Sequence, residues 1–184
     1  MIQRVFGRLI NLLPSPARAR LESWFPEWSL PSRLVLKKQK DVWDEEFETE
    51  KAAYAKLRPL QGVVIPRYFV ELVFEEKRAI VLSDIGGAAL ATPEGLLLEL
   101  PELRRLVHQA LDAFIPFGIF PSDIKLDNYH LTGSKVMVVD LERVSEGTDM
   151  QAAHDINGYR VDHLPERFEM TQYTAWRDRY ITVD

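Results

Sequence analysis

Four polar side chains in the second half of the chain have types that could do chemistry together. Asp123, Lys125 and Asn128 fall within six residues, between two apolar runs. Asp140 ends the apolar run 136–139. Charges beside an apolar core are costly unless they are paired or bound to a metal ion. The group therefore needs a network of partner side chains or a ligand; the alternative is a solvated turn, with Asp140 merely ending a strand.

The elements that must position these residues are predicted in an α+β order, with strands first and helices later. Gly118 closes the central helical pattern, and residues 143–163 match neither period clearly. The predicted strands are 33–37, 63–74, 78–85 and two strands between 129 and 140. The predicted helices are 41–58, a pattern starting at Thr92 and restarting at Pro101, and a last one from Pro165 to Tyr180.

Composition and charge limit the class of protein. The chain has 184 residues, a net charge of -5 and no cysteine, so it has no disulfides and no thiolate metal site. Residues 1–40 carry eight Lys or Arg and two acids, so the remaining 144 residues carry -11. An acidic body disfavours nonspecific nucleic-acid binding, and no apolar run approaches the ~18 residues of a membrane span.

The N-terminal residues form a basic extension, which we place at 1–33 and expect to be partly helical. Residues 1–10 have apolar side chains at helical spacing together with two arginines. This pattern is typical of a helix packing on the domain or of a transit peptide. The first alternative predicts a cytoplasmic protein, and the second an organellar one.

Asp123-Ile124-Lys125-Leu126-Asp127-Asn128 resembles the catalytic loop D-x-K-x-x-N of the protein-kinase superfamily. Asp140-Leu141-Glu142 then looks like that superfamily's D-F-G motif. The resemblance implies that Asp123 orients the hydroxyl that attacks ATP, and that Lys125 contacts the transferred phosphate. It also implies that Asn128 and Asp140 hold Mg²⁺, a hard cation that prefers oxygen ligands.

The upstream residues fit the same resemblance. Lys37, at the end of the first strand, is expected to contact the ATP phosphates, and Glu50 on the next helix is expected to pair with it. Lys38 and Glu46 are rivals for these two roles, and an ordinary surface pair is the alternative. The adenine-binding hinge is expected at Ser83, Asp84 and Ile85.

The resemblance covers roughly residues 34–142 and implies a reduced, two-lobed kinase-like fold. Residues 34–87 would form a small β-rich N-terminal lobe, and residues 88–184 a short, mainly helical C-terminal lobe. The stretch 53–67, which contains Lys56, Arg58, Pro59 and Pro66, further resembles short fungal kinase-like proteins related in style to small-molecule kinases.

Several kinase features are missing. Gly7 is the only glycine before Lys37, so no glycine-rich loop precedes it, Glu142 replaces the Gly of D-F-G, and 44 residues follow Asp140. The first interpretation is an ATP- and Mg²⁺-dependent phosphotransferase acting on a hydroxyl of an unidentified protein or small molecule. The second is a pseudokinase that serves as a binding module. A third is an incomplete gene product whose missing ends carried the absent motifs.

Overall fold

A computed structural model describes residues 30–147 and 149–178 of the chain. The described residues from Val35 onwards belong to one compact unit. Predictions that fall on residues 1–29 and 179–184 lie outside the described part. The elements are β1 (Leu34–Lys38), α1 (Asp44–Lys56), β2 (Tyr68–Phe74), β3 (Lys77–Ser83), β4 (Ala88–Ala89), α2 (Leu100–Asp112), β5 (Ile119–Pro121), β6 (Tyr129–Thr132), β7 (Lys135–Val138), β8 (Val144–Glu146) and α3 (Met150–Arg177).

The described strands form three small sheets, so the predicted mixture of helix and sheet is confirmed. Their orders are β1-β3-β2, β4-β6-β7 and β5-β8. The predicted hairpin is the antiparallel pair β2–β3, and the pair β6–β7 is the second predicted hairpin. Buried apolar side chains from α1 to α3 make one core cluster. The division into two lobes at residues 87 and 88 stays a prediction.

Strand β2 begins five residues later than predicted, because residues 60–65 form a turn instead. The N–H of Gly62 donates to the carbonyl of Ile65 at 2.7 Å. Lys135 Nζ donates to the carbonyls of Gly62 and Val63 at 3.2 and 2.8 Å. These backbone groups are satisfied without a partner strand, so nothing extends the sheet through them.

Helix α1 is shorter than the predicted 41–58 and buries one face. Val42 has a φ of 61°, which is incompatible with a right-handed helix, so α1 begins at Asp44. Its first turn is acidic and Lys56 lies in its last turn, which matches the helix dipole. The buried side chains recur at spacings of three and four: Phe47, Glu50, Ala53 and Tyr54.

Helix α2 begins with Pro101 in its first turn, as predicted, and ends before a short 3₁₀ helix that Gly118 closes at φ 60°. The start predicted at Thr92 is a single 3₁₀ turn, Gly95–Leu97. Thr92 Oγ1 accepts from the N–H of Gly95 at 3.3 Å, but the residue in the N-cap position of this turn is Glu94 and not Thr92 as predicted. A Cβ on residue 95 would lie 2.1 Å from the Ala89 carbonyl oxygen, so only glycine fits this close approach.

Helix α3 differs most from the sequence prediction, which began the last helix at Pro165. The helix starts fifteen residues earlier, after Asp149, whose carboxylate caps it by accepting from the N–H of Ala152 at 2.9 Å. Pro165 lies inside the helix and supplies no N–H there. Apolar side chains such as Leu164 and Phe168 are fully buried on either side of it. No described helix combines the length and the apolar composition that would be needed to cross a bilayer.

Candidate functional site

Strand β1, helix α1 and the segment after β7 bring one lysine to three carboxylates. Lys37 Nζ lies 2.8 Å from Glu50, 3.0 Å from Asp140 Oδ1 and 3.1 Å from Glu142 Oε1. A second lysine, Lys40, lies 2.7 Å from Glu142 Oε2. We call these five residues the lysine cluster. It joins positions far apart in sequence: Lys37 and Asp140 are separated by 103 residues, and Glu142 lies two residues further on.

Glu50 is the buried member of the lysine cluster. Its side chain is 1% exposed, against 21% for Lys37. It lies on the same face of α1 as Phe47 and Tyr54, so packing of that face carries the carboxylate inward. The N–H of Leu141 lies 3.5 Å from Glu50 Oε1. The pair Lys37–Glu50 is therefore not an ordinary surface pair.

Burial and neighbouring charges shift the pKa values of Lys37, Glu50 and the nearby Tyr54. Burial opposes the charged form of Lys37, but Glu50 and Asp140 outweigh it and raise the pKa of the amine. Burial raises the pKa of Glu50, and Lys37 opposes that rise. Burial, with Glu50 and Asp140 adding to it, also raises the pKa of Tyr54 well above its ordinary value. The Tyr54 hydroxyl is buried and has no hydrogen-bond partner within the described ranges.

The two rivals for these roles, Lys38 and Glu46, form their ion pairs outside the lysine cluster. Lys38 pairs with the exposed Glu75 and lies over the ring of Phe74 at 4.7 Å. Glu46 lies 3.9 Å from Arg143. Alternation along β1 separates Lys37 from Lys38, since successive strand residues point to opposite faces.

Sequence reasoning missed Lys40 and the contacts of Glu142. Glu142 accepts a hydrogen bond from Lys40 and forms an ion pair with Lys37, and its N–H donates to Asp140 Oδ1 at 2.9 Å. Lys40 also lies over the ring of Trp43 at 4.4 Å. The available signal was the acid at position 142, where the D-F-G motif has glycine. The substitution had been interpreted only as a missing kinase feature, without a role for the acid itself.

The catalytic-loop residues lie close together, but in a more exposed setting. Lys125 Nζ donates to Asp123 Oδ2 at 2.8 Å, and its N–H donates to Asp123 Oδ1 at 3.2 Å. Asn128 Nδ2 lies 3.5 Å from the Asp123 carbonyl. Partial burial would raise the pKa of Asp123, but hydrogen bonds from Lys125 dominate and lower it. The Asp123 carboxylate is therefore ionised at neutral pH.

A buried arginine supports the start of this loop. Arg160 of α3 donates to the carbonyl of Pro121 and to Ser145 Oγ, the latter at 3.0 Å. Pro121 is two residues before Asp123, so this contact ties the loop to α3. Residues 143–163 match neither the helix nor the strand period clearly, so the sequence did not predict that Arg160 would contact this loop.

Asn128 and Asp140 approach each other through the backbone. The N–H of Val139 donates to the Asn128 carbonyl at 3.0 Å, which places Asp140 one residue from that contact. In the part of the chain that the structure describes, no hydrogen bond reaches Asn128 Oδ1 or Asp140 Oδ2. Amide and carboxylate oxygens without protein donors are suitable ligands for Mg²⁺, so these two residues fit that ion.

The structure also groups Asp140 with two acids, Glu50 and Glu142, that were not predicted as metal ligands. One oxygen each from Glu50, Asp140 and Glu142 lies within 4.8 Å of the others, a spacing that could hold a metal ion. Lys37 already contacts all three carboxylates. The Lys37 amine therefore offsets part of the negative charge of this group without a metal.

The three predicted hinge residues have different backbone environments. The N–H of Ser83 donates to the Arg67 carbonyl at 2.9 Å, and Ser83 Oγ accepts from the N–H of Arg67 at 2.9 Å. Asp84 Oδ1 accepts from the N–H of Gly86 at 2.8 Å. Ile85 makes no hydrogen bond within the described residues. Of the three, Ile85 has backbone groups available for a ligand, whereas the N–H of Ser83 is occupied.

Comparison with known proteins supports the fold. No protein-family model matches the chain, and no curated protein is significantly similar to it in sequence. The chain is similar to the crystal structure of the PknI kinase domain from Mycobacterium tuberculosis, in a cysteine-to-alanine mutant, with a TM-score of 0.53 and 17% identity over 73% of this chain. It spans 64% of the length of that domain. At this identity the likeness concerns the fold alone, and the chain has a protein-kinase-like fold.

Proposed function

We propose that the protein is a kinase-like phosphotransferase that transfers a phosphate from ATP, with Mg²⁺, to a hydroxyl of a protein or small molecule. The observation that carries the proposal is the contact of Lys37 with both Glu50 and Asp140, at 2.8 and 3.0 Å. If residues 123–128 were only a solvated turn and Lys37–Glu50 only a surface pair, Lys37 would have no need to contact Asp140, which lies 103 residues away in sequence, in a partly buried network.

In this proposal the lysine cluster binds the nucleotide. Lys37 would contact the phosphates, and Glu50 would hold its amine in place. The backbone of Ile85, next to Asp84, would hydrogen-bond the adenine, while Ser83 supports that segment through Arg67. Asn128 and Asp140 would hold Mg²⁺, which when bound would neutralise charge on the phosphates.

The catalytic loop would act on the acceptor. Asp123 is ionised and can accept a hydrogen bond from the attacking hydroxyl, which orients the hydroxyl oxygen towards the phosphate. Lys125 carries the cation nearest to Asp123 and would stabilise charge that develops on the transferred group. Phosphoryl transfer needs mainly positioning and charge stabilisation, and these side-chain types supply both.

The pseudokinase interpretation has one observation in its favour. Glu142 forms ion pairs with Lys37 and Lys40, so a protein carboxylate lies where a nucleotide phosphate would have to approach. A binding module of this fold would retain the ion-pair network for stability and transfer no phosphate.

The finer predictions belong to the same proposal. They are the lobe boundaries at residues 34–87 and 88–184, the similarity to short fungal kinase-like proteins, and a cytoplasmic location.

A radiolabelled-ATP assay over pools of protein and small-molecule acceptors tests the proposal. Asp123→Asn should lower turnover by about 10²–10⁴-fold, the range of a general-base contribution, and leave ATP affinity unchanged. Asp127→Asn is the matched control, because Asp127 lies in the same loop, is exposed and makes no contact in the described part of the chain. Folded wild-type protein that neither transfers phosphate nor hydrolyses ATP would contradict the phosphotransferase and favour the binding module.

A further inference from the structure

Glu142 bridges two lysine side chains. Its Oε1 lies 3.1 Å from Lys37 Nζ, and its Oε2 lies 2.7 Å from Lys40 Nζ. The carboxylate side chain is only 11% exposed. The Glu142 carboxylate therefore forms ion pairs with two ammonium groups at once, one at each oxygen.

A phosphate group can make the same two contacts. Phosphate oxygens, like carboxylate oxygens, accept charge-assisted hydrogen bonds from ammonium groups. The position of Glu142 therefore marks a place in the fold where an anion is held between Lys37 and Lys40.

Lys40 is accessible to a ligand from solvent. Its side chain is 53% exposed, and its amine lies 4.4 Å from the centre of the Trp43 ring. The guanidinium of Arg143 lies 5.2 Å from the centre of the same ring. Trp43 thus has two cations near it, and Lys40 can leave Glu142 without losing all of its favourable contacts.

Glycine-rich backbone is one means of surrounding phosphates, and the sequence before Lys37 contains a single glycine. With one glycine before Lys37, the chain has no glycine-rich segment there whose backbone N–H groups could surround phosphates. Lys40 is three residues from Lys37 and shares an anion with it, so its amine is suitably placed to supply the missing contact.

We propose that Lys37 and Lys40 form a two-lysine subsite for the polyphosphate of a nucleoside triphosphate, which Glu142 occupies when no nucleotide is bound. The inference rests on the proposed function in that it assigns Lys40 and Glu142 to the nucleotide site. Lys40 is a second phosphate-binding cation, and Glu142 is an internal competitor of the phosphates.

The charges of the lysine cluster determine whether a substitution strengthens or weakens polyphosphate binding. Two lysines face three carboxylates, so the cluster carries a formal charge of -1. An incoming polyphosphate is repelled while Glu142 stays in place, and it gains two ammonium contacts once Glu142 has moved. Removing the charge of Glu142 should therefore strengthen binding, whereas removing that of Lys40 should weaken it.

Isothermal titration calorimetry of the full chain tests both expected effects, the weaker binding without Lys40 and the tighter binding without the Glu142 charge. The probes are inorganic tripolyphosphate and, separately, ATP with Mg²⁺. Lys40→Met should weaken binding of each probe about tenfold, as expected for the loss of one charged hydrogen bond. Glu142→Gln should tighten tripolyphosphate binding about threefold or more. Lys38→Met is the matched control, since it removes a neighbouring lysine that pairs outwards with Glu75, and it should stay within about twofold of wild type.

The outcomes separate this inference from the proposed function. Equal effects of Lys40→Met and Lys38→Met, or weaker binding by Glu142→Gln, would overturn the inference even if ATP binds and is used. Tripolyphosphate binding to neither wild type nor Glu142→Gln would also overturn it. If tripolyphosphate binds through Lys40 and ATP does not bind, the subsite stands and the ATP-dependent function falls. Lys40 is largely exposed, so a thermal melt should show that its variant remains folded.

Discussion

Three members of the lysine cluster, Lys37, Glu50 and Asp140, and the residues of the predicted catalytic loop were expected from the same family resemblance, but the fold assembles the two groups differently. Lys37 meets Glu50 and Asp140, which are 13 and 103 residues away in sequence, and Glu50 is fully buried. Asp123 and Lys125 are two residues apart, and the Lys125 side chain is 67% exposed. The tertiary fold makes the first group, whereas a local turn is sufficient to make the second.

This contrast predicts different physical consequences for losing one partner. A buried carboxylate that loses its cation has no water to replace it, so the whole fold bears the cost. An exposed pair that loses one member is rehydrated and costs little. We therefore expect the lysine cluster to link stability with ligand binding, and the catalytic loop to affect turnover alone.

The largest expected effect on stability comes from Lys37→Met. The variant leaves the Glu50 carboxylate buried without its main partner, which should lower the free energy of unfolding by about 1–3 kcal/mol at neutral pH. Loss of Lys37 also removes the group that opposes the raised pKa of Glu50. A carboxyl whose pKa is higher in the folded than in the unfolded state gains stability as pH falls through the folded value, so the deficit should shrink towards about pH 5.

Urea unfolding at neutral pH and at about pH 5 measures both parts of this prediction. Lys38→Met serves as the control and should cost less than about 1 kcal/mol, because its pair with Glu75 is exposed. Equal losses for the two variants, or a deficit that grows in acid, would mean that Glu50 does not depend on Lys37.

The lysine cluster also shows how far the sequence could lead. The family resemblance predicted Glu50 as the partner of Lys37 and, separately, Asp140 as a metal ligand, but it did not predict the contact between Lys37 and Asp140. Lys40 and Glu142 were missed because they become neighbours only when segments 102 residues apart are packed together. The one local sign was the acid at position 142, where the D-F-G motif has glycine, and it did not identify Lys40 as the partner.

Helix α3 shows a second limit of sequence reasoning. Pro165 favoured a helix start, since proline fits the first turn, and the segment before it holds helix-disfavouring residues such as Asn157 and Gly158. In the structure Asp149 caps the helix, and Asn157 Nδ2 donates to Asp112 Oδ1 of α2 at 2.8 Å. Contacts with α2 and the burial of Leu164 and Phe168 outweigh the local propensities.

A smaller effect is expected in the catalytic loop from Lys125→Met. The variant removes the hydrogen bonds and charge that lower the pKa of Asp123, so that pKa should return towards its ordinary value. A carboxyl with a lowered folded pKa contributes stability above its unfolded pKa and loses it as pH falls through the folded one. The variant should therefore be slightly less stable than wild type at neutral pH, and this small deficit should disappear as pH falls through the folded pKa.

Carbon-detected NMR titration of the Asp123 carboxyl group in wild type and Lys125→Met measures this shift directly. Lys135→Met is a suitable control, because Lys135 contacts only backbone carbonyls in a distant turn among the described residues. An unchanged Asp123 pKa in Lys125→Met would show that the loop contact does not persist in solution. The contrast between the buried lysine cluster and the exposed Asp123–Lys125 pair would then be larger than the structure indicates.

Nucleotide binding with and without Mg²⁺ tests the central proposal most directly. Titration of folded wild-type protein with ATP should give saturable binding in Mg²⁺ and much weaker binding in EDTA, because the free oxygens of Asn128 and Asp140 would have no cation to share with the phosphates. Asp140→Asn should weaken the Mg²⁺-dependent binding. Equal ATP affinity in Mg²⁺ and in EDTA, or no binding in either, would contradict the assignment of this site to ATP and magnesium.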